Sequence, residues 1–517
     1  MMANYALSDI VERHAFTANG RDRVALALEG ANRTFAQLNE RSRRLANALR
    51  GKGVKPGDRV AVLMGNGHEW PEALFAITSI GAVCVPVNVL LNGRDVAHVI
   101  SDSGAVALIA DKTAARALDG LADLPPIRVW VEGAEAPGDG WNGYEALISR
   151  ASDAAGAHRP MASDPAMMYY TSGTTGKPKG AVHSHAGVLW NSYHQIGDIN
   201  LTDDDVYLLV PSLSWAAGFH DVMLGLMWRG GRTVMLPTGG LTIERIVDAI
   251  ERCGATRVLL VPTLLKQLCA APEAFERLRK TRLRRIYTGG EVVPPVVVER
   301  INSELPNSPV IQMFGMSEFP LMMTLMTGED SVRLPNRAGR SSSIVSIAVR
   351  DKDGIIRPEG DGEVLIRSCA TMIGYHNRPE ETAEALREGW FHTGDMGQID
   401  SEGFLMLTGR AKDMIISGGM NVYPREIEDI IQTIEGVREV AVVGVPDEKW
   451  GEAAVAVVVA DASVDIDAAV RSLCERELSS YKRPRAVLVR QDGLPRTPTG
   501  KVLKRELRPW AETQLKD

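Results

Sequence analysis

Cysteine is scarce in this chain, with five in 517 residues. They are Cys84, Cys253, Cys269, Cys369 and Cys474, and none forms a CxxC or Cys/His pair at metal-ligand spacing. The odd, scattered set argues against a disulfide framework or a zinc-type site. It fits reduced, structural thiols and predicts a cytoplasmic location. A run of about 18 uncharged apolar residues is missing too, so no membrane span is predicted. The opening residues, MMANYALSDIVERH, lack a basic segment followed by an apolar one and predict no signal peptide. Net positive charge is absent: the formal value of -7 leaves no footprint for nucleic acid. The local cluster of Lys280, Arg282, Arg284 and Arg285 reads as a solvated helix end or loop. No fixed-period repeat and no triad-like nucleophile motif stands out. The nearest approach to GxGxxG, Gly65-Asn-Gly-His-Glu-Trp70, fails at its last position, which argues against an NAD-dependent dehydrogenase.

What is present is an alternation of strands and helices in a chain too long for one core. Hydrophobic residues make up 45% and charged residues 24%, ordinary for a globular protein. Residues 34–50 predict an amphipathic helix with Phe35, Leu38, Leu45 and Leu49 on one face. Thr34 and Gln37 form a capping-box pattern at its start, and Gly51 follows its end. Strand candidates lie at 59–64, 83–88 and 106–110, with a helical stretch at 70–80. This order predicts parallel sheets covered on both faces. Residues 132–163, rich in Gly, Ala and acids, read as a surface connection. A second α/β region runs through 206–210, 232–236 and 256–261. From about 340 short strands and turns predict a small β-rich subdomain. Residues 411–517 read as a separate unit, with strands at 440–445, 454–460 and 486–490 and helices at about 424–435 and 466–479. The expected fold class is therefore α/β. A large N-terminal domain of α/β subdomains (1–410) carries the small β-rich subdomain, and a small mobile α+β C-terminal domain (411–517) follows.

The most informative segment is Tyr170-Thr-Ser-Gly-Thr-Thr-Gly-Lys-Pro-Lys-Gly180, set between two apolar runs. Its glycines let the backbone approach an anion closely. Thr171, Ser172, Thr174 and Thr175 supply hydroxyls, Lys177 and Lys179 supply charge, and successive N–H groups can form an anion nest. It is a loop built for polyphosphate. It is not a Walker A motif, because Thr171 stands where that motif needs glycine and Pro178 where it needs Ser or Thr.

This segment resembles the signature loop of the adenylate-forming superfamily: acyl-CoA synthetases, peptide-synthetase adenylation domains and firefly-luciferase-like enzymes. The resemblance runs through nearly the whole chain in the family's motif order, and it implies a role for each motif residue. Thr171, Ser172, Gly173, Thr174, Thr175, Gly176, Lys177 and Lys179 would bind the ATP phosphates. Thr288-Gly289-Gly290-Glu291 resembles the adenine-binding turn. In Phe314-Gly315-Met316-Ser317-Glu318, Phe314 would stack on adenine, Ser317 would contact the α-phosphate and Glu318 would hold Mg²⁺, an ion that favours hard oxygen ligands. Ser317 stands where the family has Thr and keeps the hydroxyl. Trp390-Phe-His-Thr-Gly-Asp395 matches a further motif, in which Asp395 would accept the ribose hydroxyls. Arg410 would contact the ribose and phosphate region. Lys412 occupies the hinge position. Gly418 and Gly419 would line the path of the CoA thiol. Lys501, in Pro495-Arg-Thr-Pro-Thr-Gly-Lys501, would be the catalytic lysine, its ammonium stabilising charge where carboxylate and α-phosphate meet.

Relatives often carry His where Trp215 stands, whereas acetyl- and medium-chain-acyl branches resemble this chain in having Trp. Glu291 is similar to the acetyl, medium-chain and benzoate branches. Trp190, Trp215, Phe219, Met313, Met316 and Phe319 are candidates for an apolar acyl pocket, although any one of them alone reads better as a core residue. The function implied is an ATP-dependent acid–CoA ligase. A carboxylic acid and ATP would give acyl-AMP and pyrophosphate, and CoA would then give acyl-CoA and AMP. The alternative acceptor is a carrier-protein phosphopantetheine. ATP, Mg²⁺ and coenzyme A are the implied cofactors. The partners are a small carboxylic acid and CoA, with no nucleic acid, no membrane span, and an oligomer possible.

Overall fold

In a computed structural model, the described residues are 5–131, 136, 138–156, 158–171, 178–290, 293–334, 337–417, 420–461, 465–496 and 502–515. Backbone proximity divides the chain into two compact units, 1–346 with 367–391 and 347–366 with 392–517. This division does not fall at 410/411: the β-rich residues from 347 to 366 and from 392 group with the C-terminal segment.

The larger unit holds two sheets. One has eight strands in the order Gly374–Tyr375, Lys179–Ser184, Pro165–Thr171, Val83–Pro86, Arg59–Leu63, Ala107–Ala110, Ile127–Trp130 and Trp141–Gly143. The strand candidates at 59–64, 83–88 and 106–110 thus sit side by side, parallel as expected. The sheet is nevertheless mixed, because 165–171 and 179–184 run antiparallel on either side of the phosphate loop. The second sheet has nine strands, with Val206–Leu209, Arg232–Met235, Arg257–Leu259, Arg285–Gly289 and Val310–Met316 parallel and the Phe319–Leu325 strand folded back antiparallel. Helices Ile243–Cys253, Pro262–Cys269, Pro272–Leu278 and Pro295–Glu304 supply side chains to one apolar core on this sheet, including Ile246, Leu265, Phe275 and Ile301. Each such buried aliphatic or aromatic side chain contributes about 1.5–3 kcal/mol.

The predicted amphipathic helix is Phe35–Gly51. Thr34 Oγ1 accepts from Gln37 N at 3.2 Å and Gln37 Oε1 from Thr34 N at 3.0 Å, completing the capping box. Phe35, Leu38, Leu45 and Leu49 are all buried. The region 132–163 is more than a surface connection. Trp141–Gly143 edges the eight-stranded sheet and Tyr144–Arg150 is a helix. The reason is one long-range anchor: the buried Tyr144 hydroxyl donates to Glu72 at 2.9 Å. Glu72 is 0% exposed and also takes Arg41 Nε at 2.6 Å and Arg33 Nε at 3.3 Å, so its buried charge is paired as burial requires.

The smaller unit holds the expected short strands Ser346–Arg350, Ile356–Arg357, Gly360–Arg367, Trp390–Ile399 and Leu405–Arg410, except for the end residues Ser346, Arg367, Trp390 and Phe391, which group with the larger unit. Its second sheet runs Met420–Val422, Ile415–Ser417, Gly451–Ala460, Val437–Asp447, with Ala486–Val489 paired parallel to 451–460. Helices Pro424–Ile431 and Ile466–Glu477 bury Ile427, Ile431, Val470 and Cys474 in one core with Val442 and Val458. Helix Lys504–Gln514 buries Leu507 and Ala511 in another with Val443 and Val457. Residues alternating along the 437–447 and 451–460 strands thus serve opposite faces. No helix among the described residues is long and apolar enough to cross a membrane.

Candidate active site

In the larger unit, the strands on either side of the polyphosphate-loop candidate pair antiparallel. Tyr170 pairs with Gly180 and Thr171 with Lys179. Ser172, Gly173, Thr174, Thr175, Gly176 and Lys177 lie outside the described residues. Gly180 serves packing: a Cβ there would meet Met168 Sδ at 2.8 Å. Tyr170 Oη donates to Asp102 Oδ2 at 2.8 Å, fixing the entering strand. On the leaving strand, Lys179 Nζ lies 3.7 Å from Glu381 Oε1 and 5.4 Å from the centre of the Tyr375 ring.

The Phe314–Glu318 motif forms the end of a second hairpin. Met316 pairs with Phe319, so Ser317 and Glu318 make a two-residue turn between antiparallel strands rather than the start of a helix. Three contacts hold that turn. His183 Nε2 meets the Ser317 carbonyl at 2.8 Å, Met372 N–H donates to the Glu318 carbonyl at 2.8 Å, and Tyr375 Oη donates to Glu318 Oε1 at 2.8 Å. A carbonyl only accepts, so His183 carries its proton on Nε2. Burial pushes this imidazole down to about 4, so it is neutral. Glu318 Oε2 has no side-chain partner among the described residues. A half-buried carboxylate with one oxygen held by a neutral donor suits a Mg²⁺ ion that brings phosphate oxygens as further ligands. No cluster of three or more metal-ligating side chains exists among the described residues.

Of the adenine-turn candidates, Thr288 and Gly289 end the Arg285–Gly289 strand, which pairs with 310–316. A Cβ at Gly289 would sit 2.6 Å from the Met313 carbonyl, so glycine permits the close approach. Gly290 follows it, and Glu291 lies outside the described residues. Phe314, Gly315, Met316 and Ser317 are all partly exposed.

The acyl-pocket candidates separate. Phe219 and Phe319 are wholly buried, Met313 nearly so, and Phe219 packs on Trp70 with ring centroids 5.1 Å apart. Trp190 is half-buried, edge-on to the exposed Tyr193. Trp215 is half-buried and Met316 also partly accessible. Behind Trp215 the chain passes through Val222, whose φ of 61 and ψ of -49 are rare for a β-branched residue. Gln195 clasps this turn, accepting from Val222 N at 2.8 Å and donating to the His220 carbonyl at 2.8 Å. Sequence reasoning passed over Gln195, His183 and Tyr375. Gln195 and His183 sit in ordinary helix and strand patterns, and the 374–375 strand is two residues long.

In the smaller unit, Asp395 and Arg410 are direct cross-strand partners, with Arg410 Nε 3.1 Å from Asp395 Oδ1. Thr393 Oγ1 accepts from Asp395 N at 3.0 Å and donates to the Val364 carbonyl at 2.8 Å. Glu363 accepts from Gly394 N at 3.2 Å and faces His392 Nδ1 at 2.9 Å. The motif is thus a strand segment pinned on both sides, with Asp395 side chain 10% and Arg410 40% exposed. Lys412 lies in the exposed 3-10 turn Ala411–Asp413. Gly418, Gly419 and Lys501 fall outside the described residues. The neighbours of the two glycines, Ser417 and Met420, pair with each other. Arg496 bridges to Val502, and Leu503 N–H donates to the Pro495 carbonyl at 2.7 Å.

The chain matches the AMP-binding enzyme family over residues 11–376 and the AMP-binding enzyme C-terminal domain over residues 426–501. It is 38% identical to the long-chain-fatty-acid–CoA ligase FadD13 of Mycobacterium tuberculosis, over 92% of each chain. It is 35% identical to the indoleacetate–CoA ligase of Aromatoleum aromaticum, over 97% of each. Among solved structures, a Mycobacterium tuberculosis fatty acyl CoA synthetase superposes with a TM-score of 0.78 at 33% identity, covering 98% of this chain and 99% of that one. This chain therefore belongs to the AMP-binding enzyme family. Within it, the chain is of the AMP-forming acyl-CoA synthetase class, joining a carboxylic acid to coenzyme A by way of an acyl-adenylate.

Proposed function

We propose that the acid is medium-length, branched, alicyclic or aromatic, and that the cofactor-binding residues act in the roles their motifs imply. The observation that carries the reading is the braced Ser317–Glu318 turn. It brings the motif at 314–318 onto the strand leaving the phosphate loop, through His183 and Tyr375. In the first half-reaction a carboxylate oxygen attacks the α-phosphorus of ATP and the bond to pyrophosphate breaks. Thr171, the 172–177 loop and Lys179 hold the phosphates, and Lys501 stabilises charge on the reacting oxygens. Glu318 would hold Mg²⁺, which supplies charge neutralisation at the phosphates. Phe314 and the 288–291 turn bind adenine, while Asp395 and Arg410 serve the ribose.

In the second half-reaction the thiol attacks the acyl carbonyl, the mixed anhydride opens, AMP leaves and the thiol proton passes to solvent. Residues from about 411 rotate about Lys412 between the two steps, withdrawing Lys501 and admitting the thiol past Gly418 and Gly419. Five free cysteines fit work in the cytoplasm. The indole of Trp215, half-buried with its N–H unpartnered, supports a compact or aromatic acyl group.

The test is pyrophosphate release by the purified protein with Mg·ATP over a panel of carboxylic acids, each with and without CoA. Acid-dependent release accelerated by CoA, with the acyl-CoA seen by mass spectrometry, is the expected result and identifies the acid. Release indifferent to CoA would make a carrier-protein phosphopantetheine the acceptor.

A further inference from the structure

We infer that Tyr375 is a positioning residue for the Glu318 carboxylate, tying it to the strand that leaves the phosphate loop. The inference rests on the proposed role of Glu318 as the Mg²⁺ ligand. The phenol donates to Glu318 Oε1 at 2.8 Å, and a carboxylate so held has lost one rotational freedom without losing its charge. A guanidinium or ammonium in the same place would have neutralised it. Oε2 is left without a side-chain partner among the described residues.

The phenol is itself anchored through backbone. Tyr375 pairs with Ala181 and Gly374 with Val182. Ile373 N–H donates to the Val182 carbonyl and His376 N–H to the Gly180 carbonyl, each at 2.8 Å. Tyr375 N–H donates to Thr382 Oγ1 at 2.9 Å. The 374–375 strand therefore moves with the 179–184 strand, and Lys179, the last basic residue of the phosphate loop, lies over the Tyr375 ring. Met372 N–H fixes the backbone of Glu318 from the same segment. Residues 372–376 thus hold the metal carboxylate at backbone and side chain while being hydrogen-bonded to the loop's exit strand. Placement of the phosphates and placement of the cation become one event.

The experiment compares binding of α,β-methylene-ATP to the full chain with Mn²⁺ and in excess EDTA. It uses the wild type, Tyr375→Phe and Glu318→Gln, with bound Mn²⁺ read by electron paramagnetic resonance. Tyr375→Phe keeps the ring, the Lys179 contact and every backbone bond, and thermal melting checks that it folds. The metal-dependent gain in nucleotide affinity should fall about tenfold in Tyr375→Phe, the scale of one hydrogen bond to a charged group. Affinity in EDTA should change less than about twofold. An undiminished metal gain in Tyr375→Phe, or equal weakening with and without metal, overturns the inference. Glu318→Gln separates the two failures. If it abolishes the metal gain while Tyr375→Phe does not, the positioning role alone falls. If it leaves the gain intact, the metal role of Glu318 falls first.

Discussion

The two carboxylates on which the site reading depends, Glu318 in the larger unit and Asp395 in the smaller, are held in opposite ways. Glu318 is fixed by the Tyr375 phenol and the Met372 backbone N–H, and its neighbour Ser317 by the neutral His183 imidazole, none of them charged. Asp395 is fixed by the Arg410 guanidinium, a full positive charge 3.1 Å away. A carboxylate with a neutral partner keeps its charge for a cation, whereas one already in an ion pair offers acceptor oxygens to uncharged hydroxyls. The difference is the electrostatic ground on which Glu318 is proposed for Mg²⁺ and Asp395 for ribose. The units also differ in buried imidazole. His183 and His185 lie fully buried in the larger one, while the smaller holds only His392, which faces Glu363.

The largest expected effect tests the smaller unit. Lys501→Ala should slow acid-dependent pyrophosphate release about 10³-fold, the upper range for loss of one charge-stabilising donor. It should spare thiolation of supplied acyl-AMP, followed as acyl-CoA by mass spectrometry. Equal loss of both steps would contradict a lysine withdrawn between half-reactions.

Next in size is Glu318→Gln, which should lower kcat/KM for Mg·ATP about 10²-fold by removing the uncompensated charge. Its residual activity should respond little to Mg²⁺ concentration. Asp395→Asn should raise the KM for ATP by only about tenfold, the scale of a charged hydrogen bond lost to ribose. Its Mg²⁺ dependence should match the wild type. Identical Mg²⁺ profiles in the two variants would erase the distinction between the carboxylates.

The smallest effect concerns pH. Burial pushes His183 and His185 down to about 4. His185 Nδ1 also accepts from Leu7 N–H at 3.1 Å, a bond that protonation there would break. An unfolded imidazole titrates at about 6.5. Between these values the unfolded chain binds more protons, so stability is full above the unfolded value and declines as pH falls toward the folded one. By pH ~5.5 each imidazole should have cost about 1 kcal/mol. Urea unfolding followed by hydrogen exchange at pH 7 and 5.5 reads it, with the larger unit losing protection first. Protection unchanged in peptides around 183–185 would remove the claim.

The local elements were legible because their causes are local. The capping box at Thr34 and Gln37, the apolar stripe of helix 35–51 and the strand runs at 59–63 and 107–110 need no distant partner to be read. The helix at 144–150 was not, because its one strong anchor, Tyr144 on Glu72, lies 72 residues away in sequence. For the same reason the motif residues could be named one by one, yet their supports could not. His183 meets Ser317 across 134 residues and Tyr375 meets Glu318 across 57.

By itself, the sequence determined the family, the order of the phosphate-loop, metal and ribose motifs, and the α/β class, since each is written in residue type and short spacing. Only the tertiary structure decided that residues 347–366 and 392–410 group with the C-terminal segment. It alone turned the Ser317–Glu318 pair into a hairpin turn, placed Phe219 in the core against Trp70, and gave the two carboxylates a neutral and a charged partner. Burial and partnership arise from contacts between segments far apart in the chain, and no local pattern carries them.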